Sequence, residues 1–166
     1  GRPLLEIVSQ PRFLVAVLCS MVGYGSMNLI MVATPLAMID CFHPFEAAAT
    51  VIQFHVLGMY GPSFFTGSVI ARIGVLRTLA IGVLLMGVCV AVNLSGVEVM
   101  QFAIGLLTLG LGWNLLFVGG STLLTETYRP EEKAKVQAVH DFVVFGVVTL
   151  PAFTSGALYS ALGWQA

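Results

Sequence analysis

The chain has 166 residues, 58% of them hydrophobic and only 9% charged, with a net charge of −1. A soluble domain is about 25% charged, and one of ~150 residues still exposes roughly 30% of its chain surface, so water is excluded as the main solvent. Nucleic-acid binding is excluded as well, because the chain carries no basic patch or tail.

Residues 1–12 include Pro3, Glu6 and Pro11 and lack the apolar run of a signal peptide. A membrane-crossing helix needs ~20 mainly apolar residues. The sequence predicts such spans over 13–39, 47–71, 78–97, 99–125 and 136–163. These runs are too long and too uniform for barrel strands, which alternate over ~10 residues. The expected fold is therefore an all-α bundle of five transmembrane helices joined by short links, with antiparallel neighbours.

In the first span, Tyr24 and Asn28 are four apart and share a face. The link DCFHPFE follows, where His43 beside Pro44 reads as a turn residue. The second span holds Gln53 and His55 on different faces, and His55 reads either as a packing residue or as part of a proton relay. This span also carries Gly58, Gly61, Pro62 and Gly67, which favour close helix contacts and a bend. The next link contains Arg72 and Arg77. The third span is nearly featureless and is expected at the periphery. The fourth presents a stripe of Gly110, Asn114, Ser121 and Thr125 with Trp113 beside it.

Buried amides in lipid must find partners in another helix or in a wet cavity. Each polar residue by itself reads as an interhelical hydrogen bond. Taken as a set, Tyr24, Asn28, Trp113 and Asn114 read as lining one cavity, to which Gln53 and His55 are added as candidates.

The last link, YRPEEKAK, leads into the fifth span, with a helix expected from about Pro130 and Glu131 and Glu132 in its first turn. Lys133, Gln137 and Asp141 then fall on one face, Asp141 near the membrane boundary, which suggests a gate rather than a proton carrier. The chain stops at GWQA directly after a helix, which reads as truncation.

The seven basic residues all fall in the N-terminal segment, the second link and the fourth link. The opposite links hold Asp40, Glu46 and Glu98 and no basic residue. Basic links mark the cytoplasmic side, so the N-terminus is expected in the cytoplasm.

Chemistry that would make an enzyme is sparse. Cys19, Cys41 and Cys89 have no metal or redox spacing, and neither a metal nor a cofactor is expected. His140 and Asp141 are adjacent, and neighbours on a helix point about 100° apart. No phosphate-binding G-x-x-x-x-G-K-[ST] motif is present.

The stretch GSVIARIGVLR resembles the loop signature of the major facilitator superfamily, roughly G-x-x-x-D-R-x-G-R-R. Gly67, Arg72 and Gly74 match, Ala71 stands at the acid, and Arg77 lies one place beyond the last basic position. EIVSQPRFLVA and TETYRPEEKAKVQAVHDF resemble the family's entry to helix seven and its link between helices ten and eleven. Gly146, Pro151 and Gly156 resemble the spacing of helix eleven.

The resemblance implies the C-terminal half of a transporter with six helices in each half, helices seven to eleven being present. It implies a secondary transporter that moves a small organic solute by alternating access, partnered by the lipid bilayer and by an N-terminal half. The implied location is integral to a membrane, such as the bacterial inner membrane. Gly67, Arg72, Gly74, Arg77 and Asp141 would then form a cytoplasmic brace or gate, with Arg72 or the other half's basic loop as Asp141's partner. An integral membrane enzyme or a non-transporting sensor are the alternatives.

Overall fold

A computed structural model describes residues 1–165. It contains α1 (Leu4–Val8), α2 (Pro11–Asp40), α3 (Phe45–Tyr60), α4 (Ser63–Ile73), α5 (Val75–Ser95), α6 (Val99–Thr125), a 3-10 turn (Pro130–Glu132) and α7 (Lys133–Leu162). Among the described residues, four helices are long and apolar enough to cross a membrane: α2, α5, α6 and α7 with its preceding turn. Large side chains such as Phe64 (87% exposed), Phe142 (82%) and Phe153 (82%) point outward from the bundle, as a lipid solvent permits.

The expected second span, 47–71, is not one helix. It breaks into α3 and α4 at Gly61–Pro62, so the five continuous helices become four plus a broken pair. Pro62 has no N–H to donate to the preceding turn, and the helix restarts with Pro62 O accepting from Phe65 and Thr66.

The sharp junction between α4 and α5 is a single residue. Gly74 sits at φ 90°, ψ 157°, a backbone region that side chains disfavour, and it ends one helix and starts the next. The glycine of the GSVIARIGVLR stretch is therefore required by backbone geometry. α6 starts where the Glu98 N–H donates to Gln101 Oε1 at 2.9 Å.

α6 is the central helix and packs against α2, α3 and α5, while α7 packs mainly on α2. Glycines make these approaches possible. A Cβ on Gly110 would run into the backbone of His55, Gly58 and Met59 in α3, and one on Gly112 would lie 3.1 Å from Gly82 O in α5. A Cβ on Gly120 would lie 2.8 Å from Ser20 Oγ in α2. α5 meets this centre through one stripe, Thr78, Leu79, Gly82, Met86, Cys89 and Asn93, and turns its remaining faces outward.

At the end of the bundle that holds the basic residues, α1 is tied to the link before α7. Glu132 is fully buried and pairs with Arg2, whose Nη2 lies 2.8 Å from Glu132 Oε2 and whose backbone N–H donates to Oε1 at 2.7 Å. These bonds raise the Arg2 pKa above the usual arginine value. Arg129 N–H donates to the same carboxylate at 3.0 Å. Glu132 thus serves as an ion-pair centre, a role beyond the helix-dipole partner its position suggests. Arg12 pairs with Glu126 nearby.

At the opposite end, the Tyr159 hydroxyl donates to Asp40 Oδ2 at 2.6 Å and joins α7 to α2. His43 does more than occupy a turn: its Nε2–H donates to Val97 O at 2.6 Å and joins two links.

Candidate functional site

Halfway along the bundle, five aromatic residues from four helices meet. Tyr24 of α2 stands edge-on to Trp113 and Phe117 of α6, with centroids 5.3 Å away in both cases, and to Phe145 of α7 at 5.4 Å. Trp113 and Phe117 are stacked at 5.1 Å with 8° between their planes. Tyr60, the last residue of α3, lies 6.1 Å from Trp113. At about 1.5 Å per residue, Tyr24, Trp113 and Phe145 each lie roughly 18–20 Å from the basic end of their helices. A 30-residue helix such as α2 or α7 is about 45 Å long, so the three sit near the middle. Trp113 forms a buried floor, and Tyr60 and Phe145 form exposed rims.

Several polar groups on this ledge have no partner among the described residues. Trp113 Nε1 is buried and unbonded. The Tyr24 hydroxyl and the half-buried Asn28 amide, one turn further along α2, make no hydrogen bond within the described bundle.

Asn114 is adjacent to Trp113 in sequence and faces elsewhere. Its Nδ2 donates to Met59 O at 2.7 Å and to Ser63 Oγ at 2.8 Å, while Oδ1 accepts from the Thr66 hydroxyl at 2.6 Å. Asn114 therefore caps the break between α3 and α4. It supplies the donor that Met59 O would find in an unbroken helix. The break and its cap lie directly beside the ledge, at Tyr60.

His55 is fully buried, and its Nδ1–H donates to Leu106 O at 3.0 Å, leaving Nε2 without a partner. Gln53 is exposed on α3. Neither joins the ledge. Gly67, Arg72 and Gly74 are exposed near the basic end, and Arg72 makes no ion pair among the described residues. Arg77 lines a cleft with Arg12, Glu126 and residues 73–76.

Asp141 does not reach Arg72 in this structure. Its Oδ1 accepts from His140 Nδ1 at 2.9 Å, and His140 Nε2 accepts from the Ser20 hydroxyl at 3.1 Å. The expectation that His140 and Asp141 diverge is corrected: their side chains bend toward one another. The order Ser–His–Asp is that of an acyl-transfer triad, yet Ser20 is 1% exposed and packs on Gly120, so no carbonyl can approach its oxygen. No group of three or more His, Cys, Asp or Glu residues that could hold a metal occurs among the described residues.

A separate groove of about 460 Å³ opens between α2, α5 and α7, lined by Leu29, Ile30, Asn93, Leu94, Ser155 and Tyr159 among others. None of the residues expected to line a cavity contributes to it.

Sequence reasoning overlooked Phe117, Phe145, Tyr60 and Ser20. Phe117 follows Trp113 by four residues, and Phe145 follows Asp141 by four. The Trp113–Phe117 spacing is an aromatic pair legible in the sequence, whereas Phe145 follows an acid and has no aromatic residue four positions before it.

Helices of this length and composition, with a polar and aromatic centre, define a polytopic membrane protein. The chain is a homologue of MFS-type transporters and matches part of each. It is 39% identical to the riboflavin transporter RfnT of Brucella anthropi over 99% of this chain and 42% of that protein. It is 34% and 28% identical to two uncharacterized MFS-type transporters of Bacillus subtilis, YdeG and YddS, over 71% of this chain and 28% of each. The chain thus spans well under half the length of the curated relatives it matches. No protein-family model and no solved structure matches it.

Proposed function

We propose that the chain is the C-terminal half-domain, helices seven to eleven, of a secondary transporter that moves a small planar aromatic solute by alternating access. The aromatic ledge carries this reading. Stacking rings at mid-depth hold flat solutes, and the half-buried Tyr24 hydroxyl and Asn28 amide, without protein partners, are free to bond a ligand. A discontinuous helix beside the ledge is a second support, since secondary transporters bind near the midplane between such helices. A third is the similarity to the Brucella riboflavin transporter, riboflavin being a flat ring system with a polyol tail. The ledge is an open face on this chain. In the full-length protein it would be closed by the other half, with Tyr24 and Asn28 facing the solute and Trp113 as the buried floor that holds Tyr24 in place. The bilayer surrounds the remaining surface of a plasma membrane protein, with the basic end in the cytoplasm.

Uptake of labelled riboflavin by bacteria that make the full-length protein tests the reading. Uptake above the background of cells without it is expected. Trp113→Ala is expected to reduce uptake at least tenfold at equal protein in the membrane. No riboflavin uptake overturns the flavin reading, and normal uptake by Trp113→Ala overturns the proposed solute site.

A further inference from the structure

The ledge has a polar edge that its rings do not supply. Asp141 lies one helical turn before Phe145 on the same side of α7, and Phe145 packs on Tyr24. At about 1.5 Å per residue, Asp141 lies roughly 12 Å into α7, one turn toward the basic end from the rings.

The orientation of this carboxylate is set from behind. A carboxylate only accepts, so the bond to Asp141 Oδ1 places the proton on His140 Nδ1. His140 Nε2 is then an acceptor and takes the Ser20 hydroxyl. Ser20 and His140 are 1% and 5% exposed, whereas the Asp141 side chain is 55% exposed. Asp141 Oδ2 makes no hydrogen bond among the described residues. No lysine or arginine pairs with it among the described residues, the nearest on α7 being Lys135, six positions toward the basic end. An ionised side chain inside a span is costly, and one held rigidly with a free oxygen is poised for a ligand.

We infer that Asp141 is a recognition residue of the solute site, with His140 and Ser20 as its positioning residues. It accepts N–H and O–H donors from neutral or cationic planar solutes and repels phosphorylated or carboxylated ones. The inference rests on the ledge being the solute site, and it differs from a gate role for Asp141, which would need a basic partner.

The test uses the full-length protein with Phe145→Cys in a background free of other reactive cysteines. Reaction with a cationic and an anionic methanethiosulfonate of similar size is measured, each normalised to a free thiol, so that effects on the thiol itself cancel. The cationic reagent is expected to be favoured at least tenfold. Asp141→Asn should return the ratio to that of the free thiol, and His140→Ala should reduce it several-fold while the carboxylate remains. Tyr24→Cys serves in the same way if Phe145→Cys does not accumulate in the membrane. A ratio that Asp141→Asn leaves unchanged overturns the inference.

With riboflavin as the probe, riboflavin 5′-phosphate should compete at least tenfold more weakly than riboflavin itself. Asp141→Asn should narrow that gap and raise KM with little change in kcat. An unchanged gap overturns the inference alone. If riboflavin is not transported but the reagent ratio behaves as expected, the flavin reading fails and the charge selection by Asp141 stands.

Discussion

α6 and α7 have similar length and comparable apolar character, yet they occupy opposite environments. In its most apolar 18-residue stretch, α6 buries 56% of its residues and α7 only 17%. Both contain glycines, and the glycines explain the difference. Those of α6 stand where α2, α3 and α5 approach, so that an added Cβ at Gly110, Gly112, Gly119 or Gly120 would meet a neighbour. Those within α7, Gly146 and Gly156, have open space around them. A glycine in a membrane helix thus marks a contact only where another backbone comes within reach.

The comparison can be broken most directly at Gly110. Gly110→Ala places a methyl group against α3 backbone that cannot yield, with Met59 N at 2.8 Å. A loss of about 3 kcal/mol is expected, toward the upper end for overpacking, read as a lower unfolding temperature in detergent. An unaffected protein would mean that α3 and α6 are not held at this distance.

A smaller effect is expected at the cap. Asn114→Ala removes three hydrogen bonds and leaves Met59 O unpaired between α3 and α4, at a cost of about 1–2 kcal/mol. Cysteine reactivity at Ser63 should rise as the break loosens. Stability and reactivity equal to the parent would show that the break holds without its cap.

Weaker still is the tie at the basic end. Glu132→Gln leaves one neutral acceptor where Arg2 and the Arg129 N–H now meet a carboxylate. Faster proteolysis of residues 1–10 is expected, with the bundle otherwise intact. Unchanged proteolysis would show that burial of Ile7 and the bonds of Arg2 and Gln10 to Thr127 O suffice to hold α1.

Gly146→Ala should change least. With nothing within 4 Å, the substitution is expected to be neutral or to stabilise α7 by about 0.5–1 kcal/mol through lower chain entropy. A clear destabilisation would place a neighbour against this side of α7 in the full-length protein.

Composition and periodicity by themselves determined the solvent, the all-α class, the helix-rich segments and the segregation of basic residues to one end. They suffice because burying a backbone in lipid leaves few options, and hydrophobic length reports on them directly. Pro62 marked a possible interruption, but only packing decided that Asn114 would stabilise a full break there. Asn114 and Trp113 are adjacent in sequence and read together as one cavity wall. A turn of about 100° per residue sends one into the bundle and the other to the ledge.

His140 and Asp141 show the reverse. The same geometry argues that they diverge, and a third residue 120 positions away, Ser20, fixes the ring so that they converge. Glu132 read as a helix-dipole partner, and only the fold brings Arg2 to it across 130 residues. Such pairings depend on which helices become neighbours. That choice is made by the close approaches at α6 and leaves no local mark on the polar residues it unites.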